Sequence, residues 1–172
     1  MMSSSRSSSS HTYRKMYFTT YDSPLGEMFI AADGKAISRV SFRGQKHLPS
    51  YDSLVFDDDL TIFKDVKGWL DDYFNGMNPK IDFELKPRGS EFQLRVWRIL
   101  CRISYGETMT YGEIARMISP TMSAQAVGGA VGRNPIAIII PCHRVLGAKG
   151  QMTGYAAGID RKVKLLELEK II

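Results

Sequence analysis

The period of apolar positions changes several times along the chain, and each change marks an element. Tyr17 to Ala31 is a β-rich run, broken at Ser23-Pro24-Leu25-Gly26 and resumed at Met28-Phe29-Ile30-Ala31, which predicts a hairpin. Asp33-Gly34 supplies the next turn. Ile37-Ser38-Arg39-Val40-Ser41-Phe42 then alternates with period two, as a half-buried strand does. From Leu60 to Phe74 the residues Ile62, Phe63, Val66, Trp69, Leu70, Tyr73 and Phe74 recur at helical spacing, and Gly76 ends that helix. Its aromatic stripe reads as core rather than as a cofactor site.

Asn78-Pro79 and Lys86-Pro87-Arg88-Gly89 interrupt the pattern, which places a domain boundary near residues 85–89. Ser90 can cap the next helix, carrying Phe92, Leu94, Val96, Trp97 and Leu100, with Gly106 closing it. Thr110-Tyr111-Gly112-Glu113 matches a capping box, whose hydroxyl and carboxylate satisfy free backbone N–H groups reciprocally. The short helix it opens runs to about Ile118 and stops at Ser119-Pro120. Ser123 caps another helix to about Arg133. Two helices joined by a short turn form a helix-turn-helix candidate. The second helix is nearly bare: Ala124, Ala126, Gly128, Gly129, Ala130 and Gly132. Each glycine costs a helix about 1 kcal/mol relative to alanine, so three need a reason. Either the backbone approaches a bulky partner such as a DNA groove or an extruded nucleotide, or it packs closely on another helix. Further on, Ile138-Ile139-Ile140 reads as a β-branched strand that stops at Pro141, immediately before Cys142 and His143.

Composition narrows this picture. No apolar run approaches the roughly 20 residues of a membrane span, so a soluble protein is expected. The serine-rich stretch through Ser10 cannot build a core, and residues 1–15 are expected to be a disordered tail. With no acid before Asp22 it faintly resembles an organelle transit peptide, but the amphipathic apolar face is missing. The formal charge of +5 is unevenly distributed: +3 over residues 1–15, −5 over 16–85 and +7 over 86–172. Only the basic C-terminal half is expected to meet a polyanion. Two cysteines in unlike settings, Cys101 and Cys142, argue against a disulfide framework and for a reducing compartment. Cys101, in an apolar-periodic stretch, is expected to be a core thiol.

Cys142-His143 carries the chemistry. A thiol titrating near 8.5 needs a neighbouring base or field to become a nucleophile, and imidazole is one of few groups able to serve near neutral pH. Around the pair stand several ordered motifs: Val96-Trp97, Tyr105-Gly106-Glu107, Thr110-Tyr111-Gly112-Glu113-Ile114-Ala115 and Ala126-Val127-Gly128-Gly129-Ala130. They continue with Arg133-Asn134-Pro135, Pro141-Cys142-His143-Arg144-Val145, Gly154-Tyr155-Ala156-Ala157-Gly158 and Lys162 with Leu165-Leu166-Glu167-Leu168-Glu169. Together, over about half the chain, they resemble the C-terminal domain of the O6-alkylguanine-DNA alkyltransferases, which move an alkyl group from damaged guanine onto their own cysteine.

The resemblance implies an α/β N-terminal domain over 16–85, ribonuclease H-like, of strands plus a helix. It also implies a mainly α, winged-helix-like domain over 86–172 that contains the helix-turn-helix. It makes Cys142 the nucleophile, His143 its base through a bridging water, and Glu169 the residue that orients the imidazole. Tyr111 would give a hydrogen bond or proton to the leaving guanine. Asn134 would tie the active-site turn to the DNA-binding helix and help polarise the thiol. Tyr155 would stack on the extruded base, and backbone groups at Val145 and Ala156 would read its edge. Val131, Val145 and Tyr155 would shape the alkyl pocket. Arg144 is expected to be structural. Gln125, Ala126, Gly128, Gly129 and Arg133 complete the DNA-contact set, with the helix in the minor groove of double-stranded DNA and the target base flipped out.

Two departures stand out. The family's arginine that fills the gap left by the flipped base is matched here by Gln125, which implies retained chemistry but weaker, more salt-sensitive action on duplex. Some members hold zinc in the N-terminal domain, whereas residues 16–85 contain no cysteine and only His47, so no metal is expected. No P-loop or dinucleotide fingerprint occurs, and no cofactor is expected. The expected function is direct, irreversible, stoichiometric repair by a single-turnover transferase. It would be a cytoplasmic monomer, nuclear in a eukaryotic source, with cooperative assembly on DNA left open. The alternatives are a lesion-binding protein without transfer and a helix-turn-helix regulator, though the bare second helix offers few side chains for base reading.

Overall fold

The computed structural model describes residues 15–172. Apart from Lys15, the serine-rich tail expected from the sequence lies outside the described residues. The first half folds as the hydropathy pattern dictates. Strands β1 (Tyr17–Ser23) and β2 (Gly26–Ala32) pair antiparallel, with Ser23 opposite Gly26 across a two-residue turn. Gly26 adopts φ of +122°, open to residues without a Cβ, and the Ser23 hydroxyl accepts the Leu25 N–H at 3.0 Å. Asp33 Oδ1 accepts the N–H groups of Lys35 and Ala36, turning the chain into β3 (Ala36–Phe42). Short parallel edge strands β4 (Val55–Phe56) and β5 (Glu84–Leu85) complete a sheet of order β4-β1-β2-β3-β5. Helix α1 (Thr61–Phe74) lays Phe63, Val66, Leu70 and Tyr73 into the same core as Met28, Ile30, Val40 and Phe42.

The second half is helical. α2 (Glu91–Leu100) starts at a full capping box between Ser90 and Gln93, and α3 (Tyr111–Ile118) at the one between Thr110 and Glu113. α4 (Ala124–Gly132) is capped by Ser123, and α5 (Ile159–Leu168) closes the chain. Strands β6 (Met109–Thr110) and β7 (Val145–Leu146) form a small parallel pair beside the reactive centre. α3, the turn and α4 realise the expected helix-turn-helix. No helix of the described residues is long and apolar enough to cross a membrane.

Three expectations are corrected. Ile138-Ile139-Ile140 is a turn, not a strand: Ile138 sits at φ of +68°, and Ile140 N–H bonds the Ile136 carbonyl. The run is apolar because it is buried between domains. Val40 N–H donates to Pro135 O at 3.0 Å and Ala137 N–H to Val40 O at 2.8 Å, so one core continues through both halves. Next, α2 ends at Leu100, and Gly106 lies beyond it, at φ of +82° in a later turn. Finally, Cys101 is exposed rather than a core thiol. As the C-cap of α2 it borders an apolar groove with Leu85, Leu94 and Trp97.

The boundary itself is tightly packed. Trp97 is 2% exposed and its indole N–H donates to Ala130 O at 2.8 Å, so the ring cannot move. A Cβ added at Gly89 would lie 2.5 Å from that ring. Gly89→Ala is therefore expected to destabilise the protein by about 1–3 kcal/mol through overpacking. Urea melts of variant and wild type check this; equal midpoints would contradict it.

Candidate active site

Cys142, His143 and Arg144 form a single 3₁₀ turn between the buried isoleucine turn and β7. Asn134 fixes the approach to it. Its side-chain amide donates to the carbonyls of Ile136 (3.2 Å) and Ile140 (2.8 Å), while its Oδ1 accepts the Ile136 N–H at 3.0 Å. A single side chain thus holds both ends of the turn that presents Cys142, and its backbone N–H reaches back to Val131 O on α4. Asn134 therefore joins the turn that presents Cys142 to α4.

Behind Cys142 lies a buried charged network. His143 is fully buried, and its Nε2 stands 2.6 Å from Glu169 Oε2. Arg144 grips the same carboxylate through Nε (2.8 Å) and Nη2 (3.1 Å), and its Nη1 donates to Ile103 O. The Gly106 N–H adds a bond at 3.1 Å and the Tyr73 hydroxyl one at 2.7 Å. Burial alone would raise the Glu169 carboxyl, but hydrogen bonds from His143 and Arg144, with help from Tyr73, hold it at about 2. An ionised carboxylate only accepts, so Nε2 of His143 carries the proton and Nδ1 keeps its lone pair. Nδ1 is buried and meets no protein donor among the described residues. Burial lowers the imidazole's affinity for a second proton, although Glu169 opposes this. The result is a neutral histidine with a free basic nitrogen.

The thiol side is also poised. Burial pushes the Cys142 thiol up, while a hydrogen bond from Asn134, the charge of Lys162 and the Tyr155 side chain pull it back. Lys162 is fully buried, and its Nζ donates to the carbonyls of Val145 (2.6 Å), Thr153 (2.8 Å) and Gly154 (3.3 Å). Burial lowers this ammonium to about 8, with Cys142 opposing. Lys162 therefore pins the loop carrying Tyr155 to β7 and places a cation near the sulfur.

In front of Cys142 opens a cavity of about 200 Å³, lined by Tyr111, Gly128, Val131, Gly132, Cys142, Gly154, Tyr155, Ala156, Lys46 and His47. Burial raises the Tyr111 phenol, so it holds its proton, while the Thr153 side chain pulls the other way. Val145 stands outside this lining. Its N–H bonds Cys142 O and its carbonyl takes Lys162. Gln125, Ala126, Gly129 and Arg133 are exposed on or just beyond α4, away from the network. A Cβ at Gly129 or Gly132 would meet nothing within 4 Å, and one at Gly128 only the Tyr111 ring at ordinary contact distance. Close helix packing thus does not explain these glycines, which leaves an outside partner.

Sequence reasoning gave no role at the site to four residues. Tyr73 lies on the aromatic stripe read as core, Lys162 on an amphipathic helix where lysine normally faces water, and Lys46 with His47 in a loop of the other domain. No group of three His, Cys, Asp or Glu among the described residues could hold a metal.

Known proteins resemble this chain over both domains. Residues 16–87 match the family pattern described as 6-O-methylguanine DNA methyltransferase, ribonuclease-like domain, and residues 91–171 match that enzyme's DNA binding domain. The methylated-DNA–protein-cysteine methyltransferase of Methanosarcina acetivorans is 46% identical, over 90% of this chain and 98% of its own length. That of Haemophilus influenzae is 43% identical, over 91% and 87%. The crystal structure of Mycobacterium tuberculosis OGT in complex with DNA superposes with a TM-score of 0.83 at 46% identity, covering 90% of this chain and 92% of that one. Over both halves, then, this chain belongs to the 6-O-methylguanine DNA methyltransferase family.

Proposed function

We propose that this protein repairs DNA by moving the alkyl group of O6-alkylguanine irreversibly onto Cys142, acting once per molecule. One observation carries the reading. A cysteine lies on the wall of a cavity sized for a base, between a protonated tyrosine and a bare helix, with a neutral histidine beside it in sequence. The target guanine is flipped into this cavity, because an alkylated base inside the duplex is out of reach. Tyr155 stacks on it and the Ala156 N–H reads its edge.

The transfer balances as follows. The Cys142 proton passes to Nδ1 of His143 through a water, and the thiolate Sγ attacks the alkyl carbon. The S–C bond forms as the C–O6 bond breaks, and the electron pair leaves with the guanine. Tyr111 supplies a proton as that charge develops. Glu169 keeps the imidazole in the right tautomer and stabilises the imidazolium. The thioether has no route back, so the protein is consumed. On this reading it acts as a monomer on the minor-groove side, with Gln125 occupying the space of the flipped base.

Mass spectrometry after mixing with duplex containing O6-methylguanine tests the central step. One methyl gained on the Cys142 peptide, never more than one per protein and none in Cys142→Ala, is the expected result. Lesion binding without any mass gain would instead make this a non-catalytic lesion binder. Glutamine cannot pair with phosphate, so Gln125→Arg is expected to raise the single-turnover rate on duplex about three- to tenfold, a change of about 1 kcal/mol. An unchanged rate removes Gln125 from the flipping role.

The Glu169 network has its own signature. Glu169→Gln leaves a buried guanidinium without a counter-charge, expected to cost about 3–5 kcal/mol and to slow transfer about a hundredfold. Because the folded carboxyl lies at about 2, below its ordinary 4.5, its contribution to stability is complete above that ordinary value and lost as pH falls towards the folded one. Denaturant melts at stepped pH through that window should show wild type falling more steeply than Glu169→Gln, whose remaining slope belongs to other carboxylates held low, such as Asp58 and Glu113. Parallel slopes would mean another group governs the acid limb.

A further inference from the structure

The wall of the cavity contributed by the N-terminal domain has no role in the transfer just described. The loop after β3 turns at Gly44, and Gln45 locks it by accepting the Phe42 N–H at 2.8 Å on its side chain. The Lys46 N–H then donates to Ala156 O at 3.0 Å, bonding the loop directly to the base-reading segment. His47 follows at φ of +65°, a left-handed conformation that non-glycine residues hold only when their surroundings impose it. Lys46 and His47 are exposed and line the mouth of the cavity.

Charge sharpens the point. The N-terminal half is acidic, net −5 over residues 16–85, yet it places a lysine here. The other cation of the loop, Arg43, is engaged by Glu27 at 2.9 Å, whereas Lys46 makes no ion pair among the described residues. The rest of the cavity lining carries no permanent cation, since Lys162 is buried behind it on three carbonyls. A base drawn into such a cavity brings its own phosphates to the rim, where an unpaired ammonium attracts them.

We propose that Lys46 is a positioning residue that binds a backbone phosphate of the extruded nucleotide, with His47 beside it as a second donor. The N-terminal domain thereby adds its own grip on the flipped strand to that of α4. This rests on the flipped-base reading above, and the test separates the two. Binding of fluorescent duplex containing O6-methylguanine is measured across a salt series in full-length Cys142→Ala, with and without Lys46→Ala or Lys46→Arg. Loss of one phosphate contact predicts five- to tenfold weaker binding for Lys46→Ala and a salt slope smaller by about 0.9, with Lys46→Arg retaining both. In the reactive protein, the ratio of transfer rates on duplex and on free O6-methylguanine base, which carries no phosphate, should fall by a similar factor.

An unchanged salt slope overturns the proposal. So does an unchanged rate ratio with both rates reduced, because that marks Lys46 as a wall of the cavity only. If the reactive protein transfers no methyl but the slope still falls, the repair reading fails and the phosphate contact stands.

Discussion

The carboxylate of Glu169 is the group on which the site and the assembly of the two domains both depend. A buried carboxylate costs several kcal/mol unless its lone pairs are filled. Here five donors fill them: Nε and Nη2 of Arg144, Nε2 of His143, the Tyr73 hydroxyl and the Gly106 N–H. They arrive from the Cys-His turn, from α1 of the first domain and from the loop after α2. The first domain is therefore part of the frame that holds the Cys142-His143 turn, because its Tyr73 supplies one of the carboxylate's donors. Arg161 reinforces the same joint: its guanidinium donates to Leu25 O at 3.0 Å and lies 4.6 Å from the centre of the Phe42 ring.

From that carboxylate follows the division of labour around the sulfur. With Nε2 committed to Glu169, Nδ1 is the ring nitrogen left to accept a proton, which is the outlet the proposed activation of Cys142 uses. The resting thiol is held protonated by burial, and the fields of Asn134 and Lys162 offset that only in part. A catalyst with many turnovers gains from a standing thiolate. A nucleophile that is spent once gains more from staying inert until its substrate fills the cavity, since any stray electrophile would consume the whole molecule. The buried thiol beside a neutral base fits that requirement.

How much of this the sequence disclosed can be judged element by element. Strands β1 to β3 and helix α1 were legible from their period, α2 from period and the Ser90 cap, α3 from its capping box at Thr110 and α4 from the Ser123 cap; the cap at Ser90 is formed as a full capping box with Gln93. The Ile138–Ile140 run was misread because three apolar residues fit a strand or a buried turn equally well, and Asn134 selects the turn by bonding two of its carbonyls. Cys101 does follow Leu94 and Trp97 on one side of α2, but that side opens there into a groove instead of closing on core. Tyr73 was hidden by its own amphipathy. The ring packs as core, stacked 5.5 Å from Trp69, while the hydroxyl belongs to the site. The role of Lys162, named in the motif, was hidden for a related reason. A lysine is almost never fully buried, and only the convergence of three carbonyls, one from β7 and two from the loop before Tyr155, makes that position habitable. The Cys142-His143 pair, by contrast, needed no tertiary information to be noticed, only a fold to show which nitrogen was free.

The bare face of α4 then takes on a definite meaning. Gly129 and Gly132 have room for a methyl group, so the interior of the protein does not demand them. Their cost of about 1 kcal/mol each in helix stability is tolerated for something outside. A helix without side chains cannot read bases through the groove, but its backbone can approach a phosphate-sugar ridge closely, and such contact is indifferent to sequence. Indifference suits a protein whose target is a chemical lesion rather than a sequence. Discrimination then falls, on the proposed reading, to the cavity that Tyr111, Tyr155 and Cys142 line together. On the proposed reading the nucleotide has to be held out of the stack, and Gln125 offers no charge for the task. Lys46 at the mouth of the cavity, bonded by its backbone to Ala156 beside Tyr155, would supply that charge from the one domain whose net composition argues against it.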